Sequence, residues 1–193
     1  MPSTATIAIA GFTGKMARLI TNSLLQNNPT VKIHGICRAP EKVDARIRAH
    51  PNVKIFASTA TDTAALRQAR AGASVFICFY LGDNTLMVEG QKTLIDSCID
   101  EGAYLEVKEK DGKIKGVHVL NGTFMEAAFA SFLGYVDAAA AVFRCYGDDT
   151  VPLELTTYAD AARYSSEVAI DPSANGFVTG EKVPTRPKLD ADA

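Results

Sequence analysis

The chain has 193 residues, of which 47% are hydrophobic and 22% charged, with a formal net charge of −2. That length suits one domain with at most a small appendage, and the apolar content fills a core and so excludes global disorder. The charge balance offers no basic footprint for nucleic acid, and no apolar run reaches the 18 residues that a membrane-spanning helix needs. The N-terminal MPSTATIAIAG has neither the basic start nor the cleavage pattern of a signal peptide, so a soluble, cytoplasmic protein is expected.

Thr6 to Ala10 is small, apolar or β-branched, as a strand buried on both faces requires. Gly11 and Gly14 frame a tight turn, and Met16, Leu19, Ile20 and Leu24 follow at helical spacing. In this strand–turn–helix setting, Gly11-x-x-Gly14-x-x-Ala17 has a mechanism for holding a nucleotide. Gly11 permits the turn, Gly14 lets backbone approach a phosphate, and Ala17 lets helix pack on strand. The unpaired N–H groups of the helix N-terminus then face an anion.

The first helix should stop at Asn27-Asn28-Pro29. Val31 to Cys37 reads as a second strand, Val43 and Ile47 mark a short helical patch, and Val53 to Ala57 is a third strand. Thr61, Asp62 or Thr63 caps a helix that contains Leu66 and ends near Gly72. Ala73 to Tyr80 is almost wholly apolar, which predicts a central fourth strand, and Thr85 to Glu101 a long helix with Gly102 just past its end. This alternation predicts an α/β fold, a Rossmann-type doubly wound parallel sheet in a single domain. Where the second strand ends, NAD binders place a carboxylate for the ribose 2′-hydroxyl; here the exit reads Cys37-Arg38-Ala39-Pro40. A guanidinium pairs with phosphate through two hydrogen bonds, so Arg38 points to NADP.

From Ala103 the rhythm breaks. Tyr104 to Lys113 is charged and turn-like, and Ile114 to Leu120 is the next strand. Asn121-Gly122 is a turn, Phe124, Met125, Ala128 and Phe129 open a helix, and Ala138 to Tyr146 fits either helix or strand. Leu153 to Leu155 is a short strand. Thr157 caps a helix over Tyr158 to Ile170, with Asp160 where a capping box carries Glu or Gln, and Asp171-Pro172 ends it. Gly176 to Thr179 is a last strand, followed by a loose tail. The organisation expected is a dinucleotide-binding part over 1–102, a reduced substrate-side part over 103–180, and the tail 181–193.

No catalytic set can be assigned. Tyr104 and Lys108 have the Tyr-x-x-x-Lys spacing that would let an ammonium lower a phenol's pKa, but no strand bearing a serine precedes them. Asp83-Asn84 and Asp148-Asp149 read as turns. Cys37, Cys78, Cys98 and Cys145, with His34, His50 and His118, are scattered, and read as core thiols and surface imidazoles rather than metal ligands.

Four stretches carry a family resemblance: IAGFTGKMARLI, GICRAPEKV, IKGVHVLNGTFME and LTTYADAARYSSEVAIDPSANGFV. They resemble the atypical short-chain dehydrogenases/reductases, and within them the NmrA-like and isoflavone-reductase-like proteins, over Met1 to about Gly180. The resemblance implies Gly11, Thr13, Gly14 and Ala17 at the pyrophosphate, with Phe12, Lys15 and Met16 also cofactor-binding, Arg38 at the 2′-phosphate, and Phe79, Tyr80 and Leu81 near the nicotinamide ribose. It implies an NADPH-dependent reductase of a small aromatic or polyketide-type metabolite in specialised metabolism, or alternatively a cofactor-sensing regulator that binds a protein partner, or an inactive shortened member. Three departures stand out. Ser58-Thr59 occupies the place of an acidic residue that contacts adenine. Roughly forty residues of the family pattern, judged from the element count, are missing between Gly102 and Tyr104. On that reading Tyr104 belongs to the tail of the lysine helix, and Tyr104 and Lys108 are not its catalytic pair. The C-terminal extension is also largely absent after Val183. The sheet would then expose an edge unless Ile114 to Leu120 moves in beside the fourth strand.

Overall fold

A computed structural model describes residues 5–98, 115–144, 154–174 and 176–178. Its main sheet is fully parallel, in the order β3-β2-β1-β4, from β1 (Thr6–Ala10), β2 (Lys32–Cys37), β3 (Val53–Ala57) and β4 (Val75–Cys78). Parallel strands need crossovers, and these are the helices α1 (Lys15–Asn27), α2 (Ala45–Arg48) and α3 (Thr63–Arg70). After β4 the chain forms a π-helical turn, Thr85–Gly90, that runs into α4 (Gln91–Cys98).

Alternation along β1 splits the core in two. Ile7 and Ile9 face a cluster with Ile20, Leu24, Val43 and Ile47, while Ala8 and Ala10 face Leu66, Ala69 and Leu94. Helices therefore cover both faces, the doubly wound arrangement. Asp62 is the residue that caps α3, accepting the Ala65 N–H at 3.0 Å, and Asp83 accepts the Leu86 N–H at 2.9 Å before the π-helical turn. His34 is not a surface imidazole. It is half-buried, its Nδ1 lies 2.6 Å from the Ala69 carbonyl oxygen, and its ring packs on Phe56.

The remaining described residues form β5 (Val117–Val119), β6 (Thr123–Phe124), α5 (Met125–Ala128), β7 (Val136–Asp137), β8 (Val142–Phe143), β9 (Leu155–Thr156), α6 (Tyr158–Ile170) and β10 (Gly176–Val178). The undecided stretch Ala138 to Tyr146 resolves, where it is described, into the second arm of the β7–β8 antiparallel pair, closed by the Arg144–Asp137 ion pair at 2.9 Å. That bond and the Ala140 N–H hold the Asp137 carboxyl below its usual range.

Among the described strands β4 is not central but an edge, paired to β1 alone, and its residues are half-buried or exposed. Its apolar sequence reflects the helices packed on its two faces, which periodicity cannot distinguish from a central position. Nor does the strand within Ile114 to Leu120 move in beside β4: Val117–Val119 pairs in parallel with β10 in a separate two-stranded sheet. The helix expected over Thr85 to Glu101 opens as π rather than α. The charged stretch 104–113, with Tyr104 and Lys108, lies outside the described residues, as do Asp148-Asp149 and the tail.

The C-terminal helix belongs to the main core. Ala162 of α6 joins the cluster of Ile7, Ile20 and Leu24, and the Ser23 and Ser166 hydroxyls meet in the buried contact between α1 and α6 at 2.7 Å. Thr157 caps α6 by accepting the Asp160 N–H at 2.9 Å. The reciprocal half of the capping box differs from expectation, because the Asp160 carboxylate accepts from the Thr157 hydroxyl.

Candidate dinucleotide site

The site grows out of the end of β1. Gly11 has φ +78°, and a Cβ placed on it would lie 2.5 Å from the Phe79 carbonyl oxygen. Only glycine takes that conformation without cost and lets the turn close so tightly on the β4 exit. The Phe79 N–H in turn donates to the Ala10 carbonyl at 3.0 Å, so the turn and the Phe79–Leu81 segment are neighbours.

Gly14 closes the turn with its N–H on the Gly11 carbonyl at 2.9 Å, then serves as the N-cap of α1 in extended conformation. The first intrahelical bond runs from the Arg18 N–H to the Gly14 carbonyl at 3.1 Å. The N–H groups of Lys15, Met16 and Ala17 therefore have no intrahelical acceptor. Among the described residues no side chain caps this end, and no acid stands in its first turn. This is an N-terminus left open to an anion, with the positive end of the helix dipole behind it.

The predicted residues divide by what they touch. Phe12 turns inward: its ring is buried, and a Cβ on Gly35 of β2 would lie 2.4 Å from it. The Phe12 N–H donates to the Ile36 carbonyl at 3.1 Å, so Phe12 offers the site its backbone and pins the turn to β2. Ala17 is buried against the strand, Met16 is half-buried, and Thr13 and Lys15 are exposed. Arg38 is exposed immediately after β2, beyond the Ile36 carbonyl that holds the turn. Its neighbour Cys37 is buried, which raises its thiol pKa. The Cys37 carbonyl accepts the Ser58 N–H at 3.0 Å, tying the β2 and β3 exits together, while the Ser58 hydroxyl turns to the Thr59 carbonyl.

At the β4 exit, Phe79 and Tyr80 are half-buried and Leu81 is 88% exposed. The Tyr80 phenol is pushed up to about 12 by burial, with a smaller contribution from Cys78. Its hydroxyl oxygen is buried without a hydrogen-bond partner among the described residues.

The structure adds residues that the sequence does not connect with the turn. The Lys15 ammonium sits 3.7 Å from the ring centroid of Tyr158, the first residue of α6. Tyr158 stacks on Phe124 with centroids 4.1 Å apart and planes at 20°. Its backbone N–H donates to the Glu126 carboxylate at 3.0 and 3.1 Å. No local pattern links Lys15 to Tyr158. The one signal was the resemblance of 114–126 and 155–178 to substrate-side segments.

The residues fit a dinucleotide. Two glycines leave a cradle that a Cβ would crowd, and the helix behind it has unsatisfied donors and no competing acid. A family model described as NAD(P)H-binding matches residues 11–104, just under half of the chain. No curated protein matches in sequence. Among solved structures the chain is similar to the NADPH-dependent quinone oxidoreductase QOR2 of Escherichia coli, complexed with NADPH, at 22% identity and TM-score 0.69, over 89% of this chain and 67% of that one. It is similar to AtPrR2 with NADP+ and (+)pinoresinol at 15% identity and TM-score 0.69, over 93% and 70%. A triphenylmethane reductase of Citrobacter sp. aligns at 18% identity and TM-score 0.68, over 90% and 68%. At these identities the likeness is one of fold. Strand order and glycine turn make this a Rossmann-type fold, and residues 11–104 match the family model described as NAD(P)H-binding.

Proposed function

We propose that the protein is an NADP(H)-dependent reductase acting on a small aromatic or polyketide-type metabolite. The observation that carries the reading is the uncapped, acid-free N-terminus of α1 behind the Gly11–Gly14 turn, with Arg38 standing free of the sheet at the β2 exit. Gly11, Thr13, Gly14 and Lys15 would hold the pyrophosphate, and Arg38 the 2′-phosphate. Phe79, Tyr80 and Leu81 would line the nicotinamide end. When bound, the cofactor supplies a hydride. The chain's own part is to orient it and to offer an apolar surface at the carboxyl ends of the strands, where Phe124 and Tyr158 stack. The solved structures of similar fold include a quinone oxidoreductase, AtPrR2 with (+)pinoresinol and a triphenylmethane reductase, which supports an aromatic substrate class.

A second reading is a cofactor-sensing protein without turnover, which acts through a protein partner. It is favoured by a specific observation: among the described residues the main sheet ends at β4, and the next strand pairs elsewhere. The two readings are separated by following NADPH oxidation against a panel of quinones and aromatic ketones. Consumption with any of them supports the reductase; tight binding with no oxidation across the panel supports the sensor. For the cofactor, Arg38→Asp should weaken NADPH binding several-fold and spare NADH. Equal loss for both would show that Arg38 does not read the 2′-phosphate.

A further inference from the structure

We propose that Tyr158, through its hold on Lys15, is a positioning residue of the dinucleotide site, so that the C-terminal helix α6 sets part of the affinity for cofactor. This rests on the dinucleotide-binding reading above. Lys15 is the first residue of α1, adjacent to Gly14 and exposed, with a flexible four-carbon stem. Left alone its ammonium would wander through solvent; instead it lies 3.7 Å from the Tyr158 ring centroid.

The ring itself is firmly placed. Phe124 stacks on one face at 4.1 Å, which leaves the other to the ammonium. The Tyr158 N–H is held by the Glu126 carboxylate, and α6 is fastened to α1 through the Ser23–Ser166 hydroxyl contact and buried Ala162. The choice of partner matters electrostatically. A carboxylate at that position would cancel the charge on Lys15. An aromatic face attracts a cation through its quadrupole but carries no net charge, so the ammonium is localised and its full charge still reaches an anion at the helix N-terminus. The arrangement converts a mobile surface lysine into a fixed positive group beside the glycine turn.

The test measures dissociation constants for NADPH and NADH with wild-type protein, Lys15→Met, Tyr158→Leu, Tyr158→Phe and the Lys15→Met/Tyr158→Leu double variant. Lys15→Met and Tyr158→Leu should each weaken both cofactors, by roughly three- to ten-fold. Tyr158→Phe, which keeps the ring, should restore most of the affinity. The double variant should bind no more weakly than Lys15→Met alone, because Tyr158 acts through that lysine. A loss from packing damage would instead persist in the Lys15→Met background, and multiplying losses would overturn the proposal. So would wild-type affinity in Lys15→Met, a result that does not depend on whether Tyr158→Leu folds. In the free wild-type protein the Lys15 ε-methylene protons should show an upfield ring-current shift, and a random-coil position would equally overturn the proposal. If wild type binds neither cofactor, the dinucleotide reading itself fails and the role of Tyr158 with it. Binding by wild type with no change in the Lys15 and Tyr158 variants removes only the latter.

Discussion

Gly11 and Tyr80 show how differently single residues serve this site. Gly11 is where conformation and space exclude every other residue. Alanine there would meet both a positive φ and the Phe79 carbonyl oxygen at 2.5 Å. Gly11→Ala should destabilise the fold by about 2 kcal/mol or more, since left-handed strain and a backbone clash add. Urea unfolding measures this, and an unchanged midpoint would show that the turn relaxes freely. Tyr80 is the opposite case, a buried hydroxyl with no hydrogen-bond partner among the described residues. Tyr80→Phe removes an unsatisfied polar atom and should leave stability at pH 7 unchanged or raise it by up to about 1 kcal/mol. The pH dependence has a definite sign. The folded phenol keeps its proton up to about 12, whereas the unfolded one loses it near 10. Between these values the native state binds more protons, so the contribution is complete below the lower value and is lost as pH rises through the upper one. Wild type should lose more stability than Tyr80→Phe over this alkaline window. Parallel losses in urea midpoint would assign the effect to another group.

Individual elements follow their sequence signals closely wherever those signals are local. The helix over Tyr158 to Ile170 begins and ends where Thr157 and Asp171-Pro172 place it, and Asp62 is the cap among the three candidates before α3. In both cases a short side chain and the backbone N–H it satisfies are only three residues apart. Thr157→Ala should therefore cost about 1 kcal/mol, read by chemical denaturation, and Thr157→Ser should recover most of it. The elements that sequence alone left open or misplaced depend on partners far along the chain. Val142–Phe143 is a strand because Val136–Asp137 lies opposite it, and among the described strands β4 is an edge, with β5 paired to β10 instead. Hydropathy records that β4 is covered above and below, but carries no information on what hydrogen-bonds beside it.

At the scale of the whole molecule, α6 shares one core with the main sheet and α1. Ala162, Ala169 and Ile170 of α6 pack with Ile7, Ile20 and Leu24 in one cluster, together with Val75, Ile77 and Phe79. The amides of α1 and α6 should accordingly exchange through the same global opening in native-state hydrogen exchange. Protection in α6 that falls several kcal/mol below that of α1 would mean that the C-terminal part opens independently.

The sequence by itself determined the strand–turn–helix around Gly11 and Gly14, the alternation of β1 through α3, and a cation in place of an acid at the β2 exit. Each of these is written in neighbouring residues, through period, glycine and capping chemistry. Only the tertiary structure decided that Phe12 anchors the turn from within the core, that β4 is an edge among the described strands, and that Tyr158 reaches back to Lys15. Those outcomes depend on which faces meet when residues distant in sequence are packed together, 23 positions apart for Phe12 and Gly35 and 143 for Lys15 and Tyr158. No local pattern encodes such a meeting, because it is selected by the burial and hydrogen bonding of the whole chain.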